Sequence, residues 1–206
     1  PVSIKPGKFV VCRRETDGFD QSIPLPMAIP EEILEWITSY DGTDKEYSVG
    51  FMGSGDTGIR ARIIEAISKQ WPDSLLQNST VPLAENPTPG GRLGRNDYYL
   101  NLQKCRIVLS LPGAGYDTFR FWENAACEGV HVSARMPLLI PNGFTEGLHL
   151  FTFSSIDQLR VTVSQILENR IDTEGISKRA RSHLRQFHTT KERAKYFLSK
   201  LKATFA

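Results

Sequence analysis

No run of about 18 apolar residues occurs in this 206-residue chain, so no bilayer-spanning helix is expected, and no signal peptide is visible. Cysteine is scarce: Cys12, Cys105 and Cys127 lie far apart, which excludes a disulfide framework or a zinc site built on cysteines. The four histidines, His131, His149, His183 and His188, show no metal-ligand spacing, so no metal and no cofactor are expected. Neither sign of charge dominates. With 25 basic side chains against 23 acidic ones, a dedicated nucleic-acid binder is excluded. Repeats and low-complexity tracts are also missing, as is the Gly-Lys-Ser/Thr of a Walker A loop. Gly50, Gly53 and Gly55 do not reproduce a dinucleotide fingerprint, and no acid closes a clear second strand about 20 residues on, which disfavours an NAD-type dehydrogenase. The chain starts with Pro1 rather than Met and is expected to be a piece of a longer protein.

What is present is an alternation of strand and helix patterns. Residues 1–46, punctuated by Pro6, Pro24, Pro26 and Pro30, read as a linker and lead-in with one helical piece from Glu31 to about Ser39. From Tyr47 the pattern becomes regular: a strand at 47–52, a tight loop at 53–58, and a helix over 59–70 with Ile59, Ile63, Ala66 and Ile67 on one face, stopped by Pro72. A strand is expected within 74–81, then a long Pro/Gly-rich loop over 82–95 and a helix over 96–104. Arg106-Ile-Val-Leu-Ser-Leu111 is almost continuously apolar, as a strand covered on both faces must be, and a helix from 117 to about 128 follows. Strands are predicted at 130–133 and, by alternation, at 148–153. Ser155-Ile-Asp-Gln158 has the form of a capping box opening a further helix. Two amphipathic helices close the chain, one with Ile176, Ala180, Leu184 and Phe187 inward, the other with Ala194, Phe197, Leu198, Leu201 and Phe205. The expected fold is α/β: a Rossmann-like, doubly wound, mainly parallel sheet with C-terminal helices.

Two strand-to-helix turns, at 53–58 and 112–118, each combine glycine with a following arginine, and in a doubly wound sheet both open on the carboxyl edge, where ligands bind. Gly113 and Gly115 let backbone approach a ligand, and Asp117 or Thr118 is placed to cap a helix whose N–H groups face an anion. Arg60 and Arg120 suit the two sides of a diphosphate, and Glu123, three residues after Arg120, suits a pair of sugar hydroxyls. Taken singly, each loop could be a plain tight turn, and Arg120 with Glu123 an i,i+3 salt bridge. The C-terminal helices are rich in cations, from Lys178 and Arg179 to Lys200 and Lys202. A solvated face is expected there, with contact to an anionic membrane as the alternative.

Tyr116-Asp-Thr-Phe-Arg-Phe-Trp-Glu-Asn-Ala-Ala-Cys127, followed by Gly129, resembles the R-x-x-E-A-x-A-C-G donor-site helix of GT-B glycosyltransferases, especially the exostosin-like and spore-maturation-type group. Asp97 to Pro112 is similar to the helix-strand segment Y-x-x-x-L-x-x-S-(K)-x-x-L-x-x-P of that family. Val49-Gly-Phe-Met-Gly53 with Gly58-Ile-Arg60 resembles its F-x-G … R opening, and Phe187-His-Thr189 with Arg193 its H-T-x-x-x-R tail. The resemblance covers roughly 45–203. It departs at Gly115, where many retaining relatives carry the first Glu of an E-x7-E pair, at Glu128, inserted before Gly129, and at His131, which replaces a frequent Pro.

The resemblance implies one half of a GT-B fold, the metal-independent donor-binding domain of a sugar transferase, spanning 47–206. Arg60 and Arg120 would neutralise the leaving diphosphate and Glu123 hold the ribose, with Gly53, Ser54, Gly113, Gly115, Tyr116, Asp117 and Thr118 lining the donor. The partners implied are a nucleotide-diphosphate sugar and a glycan or other acceptor held by a missing N-terminal domain. The compartment implied is the cytoplasm for a bacterial chain or the Golgi lumen for a eukaryotic exostosin relative. The alternative function is a non-catalytic nucleotide-sugar-binding or interaction domain on the same fold.

Overall fold

A computed structural model describes residues 10–20, 22–54, 58–79 and 94–205. Its centre is a five-stranded, wholly parallel sheet formed by β3 (Tyr47–Ser54), β4 (Leu75–Ser79), β5 (Cys105–Ser110), β6 (Val130–Ala134) and β7 (Phe151–Phe153), in the spatial order β4-β3-β5-β6-β7. Two short parallel strands, β1 (Cys12–Arg13) and β2 (Ile23–Pro24), form a separate ribbon ahead of α1 (Glu31–Thr38). The crossovers are α2 (Ile59–Gln70), α3 (Arg95–Gln103) and α4 (Phe119–Ala126), and α5 (Ile156–Leu167), α6 (Thr173–Phe187) and α7 (Thr190–Phe205) complete the chain. The expected loop 82–95 falls mostly outside the described residues.

Alternation along the strands divides the core between two faces. Ile107 and Leu109 of β5 pack with Val49, Phe51, Ile63, Ile67, Leu159 and Val163 beneath α2 and α5. Val108 turns the other way, to Met52, Leu102, Trp122, Ala125 and Leu184 under α3, α4 and α6. Register is fixed by pairs such as Val49↔Ile107, Ile107↔Val130 and Val132↔Phe151. The segment before β3 takes part in this core, since Ile29, Leu34 and Ile37 are buried with Trp122.

Three expectations shift. α2 has the expected limits, but Arg60 is buried and Ile59 is 63% exposed, because Arg60 finds polar partners inside that Ile59 could not use. β7 is shorter than the alternation from Leu148 predicts; a turn through Gly147 (φ 72°) occupies the first half of that run. The apolar stripe of α7 is not a core face: Leu198 is 54% and Phe205 50% exposed, and the buried residue of that helix is Arg193. The capping box at α5 forms with one change. Gln158 N–H donates to Ser155 Oγ at 3.1 Å, while the Gln158 side chain accepts from the Ser154 rather than the Ser155 N–H.

Candidate functional site

Counted within the main sheet, the strand order is 2-1-3-4-5, and the chain leaves β3 and β5 toward opposite edges. The crevice between their carboxyl ends is therefore the topological switch point, the place where open α/β sheets bind ligands. The turn after β5 flanks it, as do the end of β3 and the start of α2; residues 55–57 between those two, part of the expected 53–58 loop, lie outside the described residues.

Here the two arginines converge. Arg120, at the start of α4, donates from Nε to the carbonyl of Met52 in β3 at 2.8 Å. Arg60, at the start of α2, donates from Nη2 to the carbonyl of Pro112, just beyond β5. Arg60 thus crosses to the turn after β5, and Arg120 crosses back to β3. Both guanidinium groups lie over one ring, that of Phe51, at 4.9 Å for Arg120 and 5.5 Å for Arg60. Burial lowers the Arg60 pKa from its ordinary value, and the neighbouring Arg120 charge lowers it further. Gly53 belongs to β3 rather than to the loop expected there, and its missing side chain makes the convergence possible. A Cβ at that position would lie 2.8 Å from Arg120 Nη2 and 2.9 Å from Phe51 Cζ. Ser54 pairs through its backbone with Ser79 at the end of β3.

Glu123, one turn beyond Arg120, makes no ion pair with it. Its two carboxylate oxygens accept hydrogen bonds from Tyr98 Oη at 3.0 Å and Tyr99 Oη at 2.9 Å. Burial, followed by the Glu123 charge, raises both tyrosine pKa values, so both hydroxyls remain donors. The i,i+3 salt bridge is not formed, and the carboxylate is aimed by α3 instead.

The second turn departs from expectation at its far end. Gly113 N–H donates to Gly115 O, and Tyr116 is exposed. Thr118 is the residue ahead of α4, but neither its side chain nor that of Asp117 caps the helix. Asp117, expected to line the ligand, is 2% exposed and points into the protein. Its Oδ2 accepts from Met27 N–H at 2.7 Å and its Oδ1 from Trp122 Nε1 at 2.9 Å. Burial raises its pKa, against the pull of these two donors. Nor is the Cα face of Gly115 open, because the Glu15 carboxylate rests on it and accepts from Asp117 N–H at 2.9 Å. Glu15 and Met27, from the segment ahead of α1, therefore hold the turn. Underneath, Ser110 Oγ accepts from Asn124 Nδ2 at 2.8 Å and meets His131 Nε2 at 2.9 Å; burial drives the His131 pKa down to about 3.

Sequence reasoning brought Arg60, Arg120, Gly53 and Gly113 to one crevice. It missed Phe51, hidden in an apolar strand, and the Tyr98–Tyr99 pair, whose adjacency at the start of a helix was the available signal. It also missed Glu15, which no local pattern marks. Among the described residues, no group of three or more His, Cys, Asp or Glu is placed to hold a metal ion.

The model of one protein family, described as glycosyl transferase-like, matches residues 31–199. The chain belongs to that family. No curated protein sequence matches it. Solved structures share the fold of this glycosyl transferase-like chain at low identity. The C-terminal domain of a glycosyl transferase group 1 family protein (LpcC) from Francisella tularensis is 9% identical with a TM-score of 0.50, over 80% of this chain and 97% of that one. A glycosyltransferase from Rickettsia africae is 12% identical with a TM-score of 0.57, over 90% and 58%. Anabaena HepE, solved in complex with UDP, is 10% identical with a TM-score of 0.62, over 94% and 64%. HepE is also solved with UDP-glucose. The chain thus spans less than two thirds of the Rickettsia and Anabaena proteins.

Proposed function

We propose that this chain is the donor-binding half of a metal-independent GT-B glycosyltransferase, with 47–206 binding a nucleoside-diphosphate sugar and an upstream domain holding the acceptor. The observation that carries this reading is the pair Arg60 and Arg120, gathered over Phe51 at the switch point. Two guanidinium groups this close repel each other, and an anion between them relieves the repulsion. As a glycosidic bond to the diphosphate breaks, charge grows on the leaving oxygen. Fixed cations and the N-terminal end of α4 then stabilise the transition state more than the ground state. Glu123, aimed by Tyr98 and Tyr99, accepts hydrogen bonds from the ribose hydroxyls. The complexes of HepE with UDP and UDP-glucose support a uridine nucleotide as the first ligand to try. The motifs over 97–129 support the exostosin-like and spore-maturation-type group as the subgroup. Lys195, Lys200 and Lys202, exposed on α7 beside Leu198, suit the surface of an anionic membrane.

Calorimetric titration with UDP and with inorganic diphosphate, each in excess chelator, tests the reading. UDP is expected to bind without metal. Replacing Glu123 by Ala should weaken UDP by about 1.5–3 kcal/mol and leave diphosphate largely unaffected. If no nucleoside diphosphate binds, the donor assignment fails; equal losses for the two ligands would remove the ribose role from Glu123.

A further inference from the structure

With phosphates at Arg60 and Arg120 and the nucleoside at Glu123, the remaining edge of the crevice is the turn from Gly113 to Asp117. Its two ends differ in charge. At Gly113 the neighbour is a cation, since a Cβ there would lie 3.4 Å from Arg60 Nη2. Two residues on, at Gly115, the neighbour is an anion. The Glu15 carboxylate lies so close that a Cβ on Gly115 would stand 2.9 Å from its Cδ and Oε2 and closer still to Oε1.

That carboxylate is held firmly. Oε1 accepts from Asp117 N–H at 2.9 Å, while no described residue donates to Oε2. Asp117 adds a second carboxylate directly behind. The compensating cation is Arg14, 3.6 Å from Glu15 Oε1 and 3.9 Å from Asp117 Oδ2, but its side chain is half exposed and its charge is shared between the two acids and screened by water. The Glu15 side chain is itself about one quarter exposed, enough to be felt from the crevice.

We propose that Glu15 sets the charge selectivity of the donor site: it rejects an anionic group on the transferred moiety and accepts a hydroxyl-bearing, uncharged or cationic one. The proposal rests on the donor-binding reading. Its physics is discrimination by repulsion, in which a fixed charge costs the wrong ligand more than it helps the right one. Oε2, to which no described residue donates, is in addition an acceptor for a sugar hydroxyl or an ammonium group.

The test compares UDP, UDP-glucose and UDP-glucuronate by calorimetry on the wild type, Glu15→Gln and Arg14→Ala. In the wild type, UDP-glucuronate should bind about tenfold or more weakly than UDP-glucose. Glu15→Gln keeps the shape and an oxygen for Asp117 N–H, so UDP should bind it unchanged while the discrimination falls to about threefold or less. Arg14→Ala, which strips the partial counter-charge and leaves Glu15 in place, should widen the discrimination. An unchanged ratio in both variants, or a wild type that prefers the uronate, overturns the proposal. Equal weakening of all three ligands by Glu15→Gln also overturns it, because Glu15 would then serve only to hold the turn at Gly115 and Asp117. A wild type that fails to bind UDP sinks the donor-binding reading itself, a different result from UDP binding without charge discrimination.

Discussion

The segments that follow β3 and β5 share glycine, a helix start and an arginine, yet the two arginines are buried to different degrees. The arginine of the first, Arg60, is 6% exposed and anchored on the carbonyl of Pro112. That of the second, Arg120, is only partly buried and reaches back to Met52. The second turn is in addition tied to distant chain through Asp117 and Glu15 and rests on a buried histidine. The difference teaches that residue type marks a candidate site, while burial decides how a side chain divides its work between the fold and a ligand.

The hardest blow to this contrast would fall at Asp117. Replacement by Ala leaves two buried donors, Met27 N–H and Trp122 Nε1, without acceptors, and should cost about 3 kcal/mol in urea unfolding. A loss below about 1 kcal/mol would mean that these hydrogen bonds contribute little to the second turn.

Acid offers a gentler way to sharpen the same contrast. His131 is held neutral beneath the second turn, with a pKa of about 3 against an ordinary value of 6.5, because of burial. Below pH 6.5 the unfolded chain binds a proton at this residue that the folded chain refuses. Stability is therefore lost as pH falls from about 6.5 toward 3, and the loss levels off below that. Between pH 7 and 5 the wild type should lose about 2 kcal/mol more than His131→Gln, measured as the difference in unfolding free energy at the two pH values. Parallel losses in the two proteins would show that His131 is not the sensitive point.

The arginines themselves separate next. Arg60→Lys removes a buried fork from Pro112 and Phe51 and should lower stability by about 1–2 kcal/mol. Arg120→Lys, at a less buried guanidinium, should lower the melting temperature less than Arg60→Lys does. In a full-length enzyme it should lower kcat about tenfold with little change in donor KM, because charge on the diphosphate grows toward the transition state. A raised KM with unchanged kcat would reduce Arg120 to an anchor for the donor.

The smallest effect is expected at Gly53. A methyl group there crowds Arg120 Nη2 and Phe51 Cζ, and Gly53→Ala should weaken UDP binding by about 1 kcal/mol as the guanidinium is displaced. Unchanged UDP affinity would show that the position of Arg120 is not critical for binding.

The legible part of the structure was what local pattern controls. The limits of α2, the apolar strand β5 and the turn and helix after it follow from periodicity, because burial on one or both faces leaves its mark every two or every 3.6 residues. Arginine and glycine at the two turns were legible for the same reason: they stand next to those elements in sequence. The partners of Asp117 are a different matter. Met27 lies 90 residues away and Glu15 102, and nothing in the composition of 14–27 says which turn it will cover. The amphipathic pattern of α7 predicted a buried stripe, yet periodicity reports only that a helix has two unlike faces, not that the core is the neighbour of the apolar one. Arg193 is buried there because His188 Nδ1 and the ring of Trp122 receive its guanidinium.

The backbone of Met27 is held at both of its polar groups, its N–H by Asp117 in the crevice turn and its carbonyl by Arg193 of the last helix, at 3.5 Å. Two residues later, Ile29 pairs with Thr189 at the junction of α6 and α7. Tension applied along the chain ahead of α1 would therefore reach the floor of the crevice and the terminal helix together.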